Sequence, residues 1–519
     1  MSDEISDPLT NAAKELFGLS YLFPYQRLVV ANILEAAKAA GIAITWPDSS
    51  REDTFPSDRE NELSDNELSD KESYGRQIVI LPTGAGKSLC FQLPAMIMEG
   101  PTLVIYPILG LMADQERRLA ERGFSPVTLR GAQTKEEREL IWKKLSSGES
   151  KFVIANPEVL LTQEVLARLS SIKLIHIVID EAHCVSEWGE SFRPSYLEIN
   201  KIIEEAAAPL VTAFTATAGS SVLEKIEKYI FGPAGARKIV GNPDRKNISY
   251  ASQGCILKNL AVRDLILANQ RPLLVFCSSR PGTENLARYL RNEMIWKALP
   301  WQKEIRFYHA GLSREEKKET EEWFLHSKEA VLTATCAYGL GIDKPDIRTV
   351  IHRDCPPSVE AYLQESGRAG RDGNPSAAFF LWGPEDERSF ARAKTEEDKR
   401  RISKLLAYAK DTKNCKREVL LNLLDYDGEQ DKPGSHCCDV CDRKASDVLR
   451  EGSAILDFFR RNRRSYTAGE AAETLKRAEN IGWSADDAGE AIAYLIKTGK
   501  LKKSKNPLWK NKILSFTYP

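Results

Sequence analysis

Apolar residues fall in short, nearly unbroken runs, each separated by a longer stretch with helical spacing. The runs are residues 78–81, 102–106, 152–155, 174–179 and 211–215 in the first half, then 273–276, 305–309, 331–335 and 349–352. A run without polar alternation predicts a strand covered on both faces, and strands alternating with helices predict a parallel sheet. Two such series predict two α/β domains in tandem, over 1–241 and 242–384. A helical, cysteine-bearing module is expected over 385–446. The last segment, 447–519, shows helical periods near 454–460, 468–478 and 485–498, then a strand-turn-strand over 500–516 that turns at Asn506-Pro507. One interval breaks the pattern. Residues 48–73 carry ten acids against three bases and a near-duplicated Asn-Glu-Leu-Ser-Asp at 61–65 and 66–70. Low hydrophobicity with high charge is the composition of a disordered loop, either inert or a lure for protein partners.

The chemistry sits at the ends of the predicted strands. After the run at 78–81 come Pro82-Thr83-Gly84-Ala85-Gly86-Lys87-Ser88, a glycine-rich turn that opens a helix. There backbone N–H groups and the helix N-terminus can cradle phosphates, Lys87 can bridge the β- and γ-phosphates, and the Ser88 hydroxyl can ligate Mg2+. Leu81 occupies the place of the first glycine in the longer phosphate-loop pattern, so a plain strand-to-helix turn stands as the alternative. The run at 174–179 delivers Asp180-Glu181-Ala182-His183. Asp180 would hold Mg2+ through water, and Glu181 would orient and deprotonate an attacking water. An acidic pair is usually a solvated surface pair. Two carboxylates ending an apolar strand downstream of a phosphate loop favour a nucleotide-driven motor.

Bulk properties add the setting. At 519 residues the chain has room for three or four domains. Its net charge of −1 is unevenly spread, since residues 497–512 hold seven lysines and no acid. Local patches, not the total, decide nucleic-acid affinity. No N-terminal stretch resembles a signal peptide, and no apolar run reaches a membrane span. Ten cysteines, six of them scattered, read as reduced thiols. A cytoplasmic location is expected, at the nucleoid in a bacterium or in the nucleus of a eukaryote, with no membrane partner.

With these motifs stand Phe214-Thr215-Ala216-Thr217-Ala218, Tyr308-His309-Ala310-Gly311-Leu312, residues 337–345 and Gln364-Glu365-Ser366-Gly367-Arg368-Ala369-Gly370-Arg371. The sequence His183-Cys184-Val185-Ser186-Glu187-Trp188-Gly189-Glu190-Ser191-Phe192-Arg193-Pro194-Ser195-Tyr196 lies between them. Together, over residues 17–441, they resemble the RecQ family of superfamily 2 DNA helicases, which have two RecA-like domains. The resemblance implies that Gln26 reads the adenine edge, although Phe23 stands where the family has an arginine. It implies that Arg368 and Arg371 reach the γ-phosphate, that Asp343 contacts the nucleotide ribose or couples the cleft to DNA, and that Thr215 and Thr217 link the two events. It further implies that Trp188, Phe192, Arg193 and Tyr196, with His183, form a single-stranded-DNA sensor. Helical spacing of those rings more often marks a core face, but Gly189 and Pro194 interrupt any helix there.

Cys415, Cys437, Cys438 and Cys441 can supply four thiolates to a structural Zn2+ ion, with His436 competing against Cys437 as fourth ligand. The final three helices and hairpin suggest a winged helix, as RecQ proteins carry after their zinc module. In that setting Trp509 either stacks at a DNA fork or packs in the core. The expected activity is therefore ATP- and Mg2+-dependent 3'-5' DNA unwinding in recombination and repair, on single-stranded, forked or junction DNA, with single-strand-binding or repair proteins as partners. The alternatives are an ATP-switched duplex-binding or annealing protein and a DEAH-type RNA helicase.

Overall fold

The computed structural model describes residues 8–19, 21–47, 75–82, 85–187, 194–216, 219–296, 300–336, 344–386, 390–391, 393, 395–426, 437–446, 453–477 and 485–515. Chain contacts divide it into two compact units, Met1–Pro243 and Asp244–Pro519.

The first unit holds a seven-stranded sheet made of β1 (Arg76–Ile80), β2 (Thr102–Ile105), β3 (Val127–Thr128), β4 (Phe152–Ala155), β5 (His176–Ile179), β6 (Leu210–Thr215) and β7 (Arg237–Val240). Its order is β3-β4-β2-β5-β6-β1-β7, and every pairing is parallel. The unbroken apolar runs have a simple cause. Ile78, Ile80, Ile177 and Ile179 enter the core on one face, while Val79, Leu81, Val178 and Phe214 enter the core on the other. Each such fully buried side chain contributes about 1.5–3 kcal/mol.

The second unit repeats the plan with β8 (Ile248–Gly254), β9 (Leu273–Phe276), β10 (Ile305–Tyr308), β11 (Val331–Ala334), β12 (Thr349–His352) and β13 (Ser376–Trp382). The order β10-β11-β9-β12-β13-β8 is again all parallel, with β8 at one edge. Beyond it come helices Glu396–Lys410 and Lys416–Leu423, then helices Ser453–Arg461, Ala468–Arg477 and Ala485–Lys497, and an antiparallel pair of β14 (Leu501–Lys503) and β15 (Ile513–Ser515). Three helices and a hairpin form the expected small winged-helix-like domain. Its core, from Ile455 to Ile513, also takes in Ile256 and Leu257, which follow β8, so this domain is packed on the second sheet. The fold class is as expected. The acidic interval 48–73 lies outside the described residues.

Candidate active site and metal centre

Three neighbouring strands, β1, β6 and β5, end on the same side of the first sheet and carry the catalytic candidates there. The backbone ties their ends together. Leu81 N–H donates to the Thr215 carbonyl at 3.0 Å, and Ala182 N–H donates to the Phe214 carbonyl at 2.8 Å. Phosphate-loop entry, acidic pair and Thr215 are therefore joined by main-chain hydrogen bonds.

The phosphate loop leads into helix Lys87–Ile97 through Gly86 in the left-handed region, φ +73°. That backbone favours glycine, and a Cβ there would also press on the end of the Gln26 side chain at 2.5 Å. Gln26 itself is buried; its Nε2 donates to the Ala85 carbonyl at 2.9 Å, and its Oε1 accepts from Phe23 N–H at 3.0 Å. Lys87 reaches back to the Leu81 carbonyl at 3.4 Å, and Ser88 follows at the start of the helix. Thr83 and Gly84 lie outside the described residues.

Asp180 is buried and accepts from Glu181 N–H at 2.9 Å. Burial, with the charge of Glu181 beside it, pushes the Asp180 carboxyl up to about 7, while Lys87 pulls the other way. Glu181 adopts φ +53°, an uncommon conformation for a side-chain-bearing residue. Such strain is characteristic of functional positions. The His183 Nδ1 lies 3.4 Å from a Glu181 oxygen and 3.1 Å from the Thr215 hydroxyl. Two crowded carboxylates offer oxygen donors that suit Mg2+, since a divalent cation offsets the repulsion that burial aggravates.

The other sensor candidates divide. Trp188, Phe192, Arg193, Thr217 and Asp343 lie outside the described residues. Tyr196 corrects the expectation of an exposed stacking ring. It is fully buried in the 3-10 turn Pro194–Glu198, in the core with Val185 and Ile199, so at this position helical spacing marked a core face.

In the second unit, helix Val359–Ser366 ends in the loop bearing Arg368, which is buried, and Arg371, which is half-buried. Its anchors were not visible as candidates in the sequence. Arg245 donates to the carbonyls of Gly367 at 3.2 Å, Ala369 at 3.4 Å and Gly370 at 2.8 Å; Asn247 donates to Gly370 and Asn374. Gly370 has φ +55°, and a Cβ there would collide with Asn247 and Asn374. No strand was predicted over residues 248–254, so nothing in the sequence singled out the arginine and asparagine that precede it.

Cys415, Cys437, Cys438 and Cys441 converge, with all four sulfurs within 4.8 Å of one another. Two separations are 3.6 Å for Cys415–Cys437 and 3.9 Å for Cys415–Cys438. A tetrahedron with metal–sulfur bonds of ~2.3 Å has edges of ~3.8 Å, so the cluster fits Zn2+. Burial pushes the Cys437 thiol up, to about 11, against the pull of Arg417. At Cys415 burial is outweighed by the N–H groups of Glu418 and Arg417 and by neighbouring thiols, which hold it below the usual thiol range. His436 lies outside the described residues.

Comparison with known proteins agrees with this geometry. Residues 67–226 match the DEAD/DEAH box helicase family, and residues 257–373 match the helicase conserved C-terminal domain. The ATP-dependent DNA helicase RecQ of Haemophilus influenzae is 34% identical over 70% of this chain and 58% of its own length. That of Bacillus subtilis is 32% identical over 77% of this chain and 68% of its own length. The chain belongs to the RecQ helicase family. It spans between about three fifths and two thirds of the length of these bacterial RecQ proteins. Solved structures share the fold at lower identity. The DUF1998 helicase MrfA bound to DNA matches at TM-score 0.54 and 17% identity, over all of this chain and 60% of its own. The Mycobacterium smegmatis helicase Lhr, solved with single-stranded DNA and AMP-PNP, matches at TM-score 0.53 and 18% identity, over 98% of this chain and 61% of its own. Among the described residues, no helix is long and apolar enough to cross a membrane.

Proposed function

We propose that this RecQ-family chain is an ATP-dependent DNA helicase that couples Mg-ATP hydrolysis to 3'-5' movement on single-stranded DNA and to duplex unwinding in recombination and repair. The observation that carries the reading is the linked block of Leu81, Asp180, Glu181, His183 and Thr215 at the ends of three adjacent strands. Ser88 and Asp180 would hold Mg2+, which supplies charge neutralisation on the phosphates. Lys87 and the N–H groups of residues 83–88 bind the phosphates, and Gln26 binds the adenine edge. Glu181 orients the attacking water and takes its proton, with its carboxylate steadied by His183. Arg368 and Arg371 stabilise the charge that develops on the transferred phosphoryl group, and Asp343 contacts the ribose or couples hydrolysis to DNA. Trp188, Phe192 and Arg193 contact single-stranded DNA, and Thr215 with Thr217 relays that contact to the nucleotide.

Forked duplexes with a single 3' or 5' tail provide the test. ATP-dependent displacement with the 3'-tailed loading strand supports the proposal. ATPase without strand displacement from either fork indicates a conformational switch, and stimulation by RNA but not DNA indicates an RNA helicase.

A further inference from the structure

Three consecutive residues leave the metal centre and reach into the second sheet. Cys415 is both a cluster thiol and the N-cap of helix Lys416–Leu423. Lys416 is fully buried and donates to the Tyr408 carbonyl at 2.7 Å and the Ala409 carbonyl at 3.1 Å, closing the end of helix Glu396–Lys410. Arg417, also buried, pairs with the buried Asp244 and donates to the Arg245 carbonyl at 3.1 Å and the Ile248 carbonyl at 2.6 Å. Its guanidinium also lies over the Tyr250 ring, 5.3 Å from the centroid.

One guanidinium thus spans the turn that leads into β8, and this turn carries Arg245. A buried arginine is costly unless it is paired, so the orientation of Arg417 is set by Asp244 and two carbonyls together. The metal centre also holds the strand that follows. Tyr250 N–H donates to the Cys437 carbonyl at 3.3 Å, Asp439 N–H to the Tyr250 carbonyl at 3.0 Å, and Ser252 N–H to the Asp439 carboxylate at 2.9 Å. The cysteine loop therefore covers the open edge of β8.

At the far end of the relay, the carbonyls of Gly367, Ala369 and Gly370 lie just past helix Val359–Ser366, beyond its own N–H donors, and the Gly370 carbonyl also accepts from Gly373 N–H at 3.0 Å. Arg245 caps all three. Its planar fork fixes direction as well as charge, which a lysine cannot do.

We propose that Arg417 and Arg245 are positioning residues that brace the Arg368–Arg371 loop against the four-cysteine centre, so that an intact centre sets the rate of phosphate chemistry. The inference rests on the reading that Arg371 acts on the transferred phosphate. Misplacing such a group by about 1 Å costs on the order of 100-fold in turnover.

The test uses the full chain. Arg245→Met and Arg417→Met should each lower DNA-stimulated kcat for ATP by about 10- to 100-fold, with KM for ATP nearly unchanged. Arg245→Lys should fall between Arg245→Met and the native protein. Bound zinc should persist in Arg245→Met, and the amides of residues 367–370 should exchange faster with solvent while those of helix Lys87–Ile97 do not. Stripping the metal with a chelator should speed the same amides. Arg245→Met added to Arg371→Ala should bring no further loss, because both remove one action. Normal kcat in Arg371→Ala overturns the catalytic reading of that arginine. Reduced kcat in Arg371→Ala alongside native kcat or unchanged exchange in Arg245→Met overturns the brace alone, as does an additive loss in the double variant. Should Arg417→Met fail to fold, the Arg245 variants and the chelation experiment decide.

Discussion

At the scale of single residues, the acidic pair and the phosphate loop make separable predictions. Lys87→Ala removes a phosphate contact, whereas Glu181→Gln removes a base and leaves the phosphate contacts in place. Glu181→Gln should therefore bind ATP as the native protein does while hydrolysis falls by about 100-fold or more. Lys87→Ala should lose both, and DNA binding should survive in each. Equilibrium nucleotide binding and steady-state ATPase would measure the split; retained turnover in either variant would remove the motor assignment. A second prediction at this scale concerns acid stability. His176 is fully buried at the start of β5, its Nε2 2.9 Å from the Thr212 hydroxyl, and burial pushes the ring down to about 3. The folded protein keeps this ring neutral, while the unfolded chain protonates it below ~6.5. Stability from this residue is thus full above pH ~6.5 and is lost as pH falls toward 3, by about 2 kcal/mol at pH 5. Denaturant melts of His176→Gln should show a shallower drop between pH 7 and pH 5. An identical drop would assign the acid limb to other groups.

At the scale of elements, the sheets were largely legible and the reason is physical. A strand covered on both faces has no polar alternation, so β2, β4, β5, β6, β9, β11 and β12 announced themselves. Of the edge strands, β10 was read in the same way, while β3, β7 and β8 were not, nor was β13 beside β8. In β7 only Ile239 is buried, and β8 keeps four half-exposed positions because its rim is closed by the cysteine loop rather than by a strand. β13 begins with the same alternation where it lies against β8. The phosphate loop and acidic pair were legible because their chemistry demands particular residues in local sequence. Arg245 and Arg417 were not, since their partners are main-chain carbonyls more than a hundred residues away. Of the rings in the aromatic segment only Tyr196 is described, and its burial was not legible because sequence spacing cannot separate a buried ring from an exposed one. The segment's first part follows helix Cys184–Glu187, directly after the His183 ring that bonds Thr215. Trp188→Ala or Arg193→Ala should therefore lower DNA-stimulated ATPase and unwinding much more than DNA-free hydrolysis. Loss of thermal stability alone would assign these residues to the core as well.

At the scale of the whole molecule, the four-cysteine cluster belongs to the second sheet rather than to an appendage. Taken from the sequence alone, the cysteines tie a helix to the loop before the winged helix, so their loss would unfold only the C-terminal third. The structure enlarges that consequence. Cys415, Cys437 and Cys438 are buried in the same apolar cluster as Ile248, Leu274, Leu332 and Phe380, and the cysteine loop closes the β8 edge. Thiolate–metal bonds contribute folding energy directly, because the unfolded chain offers no preformed site. Cys438→Ser should therefore lower the melting transition of the whole second unit, residues 244–519, and expose β8 to aggregation. The first unit, with its own two cores, should keep its transition and its capacity to bind ATP analogues. Calorimetry of the full chain with metal analysis reads both at once. One zinc per native chain and a selective loss of one transition in the variant are expected. A zinc content near zero in the native protein would reject the site, and full zinc in Cys437→Ser with loss in His436→Ala would move the fourth ligand to His436.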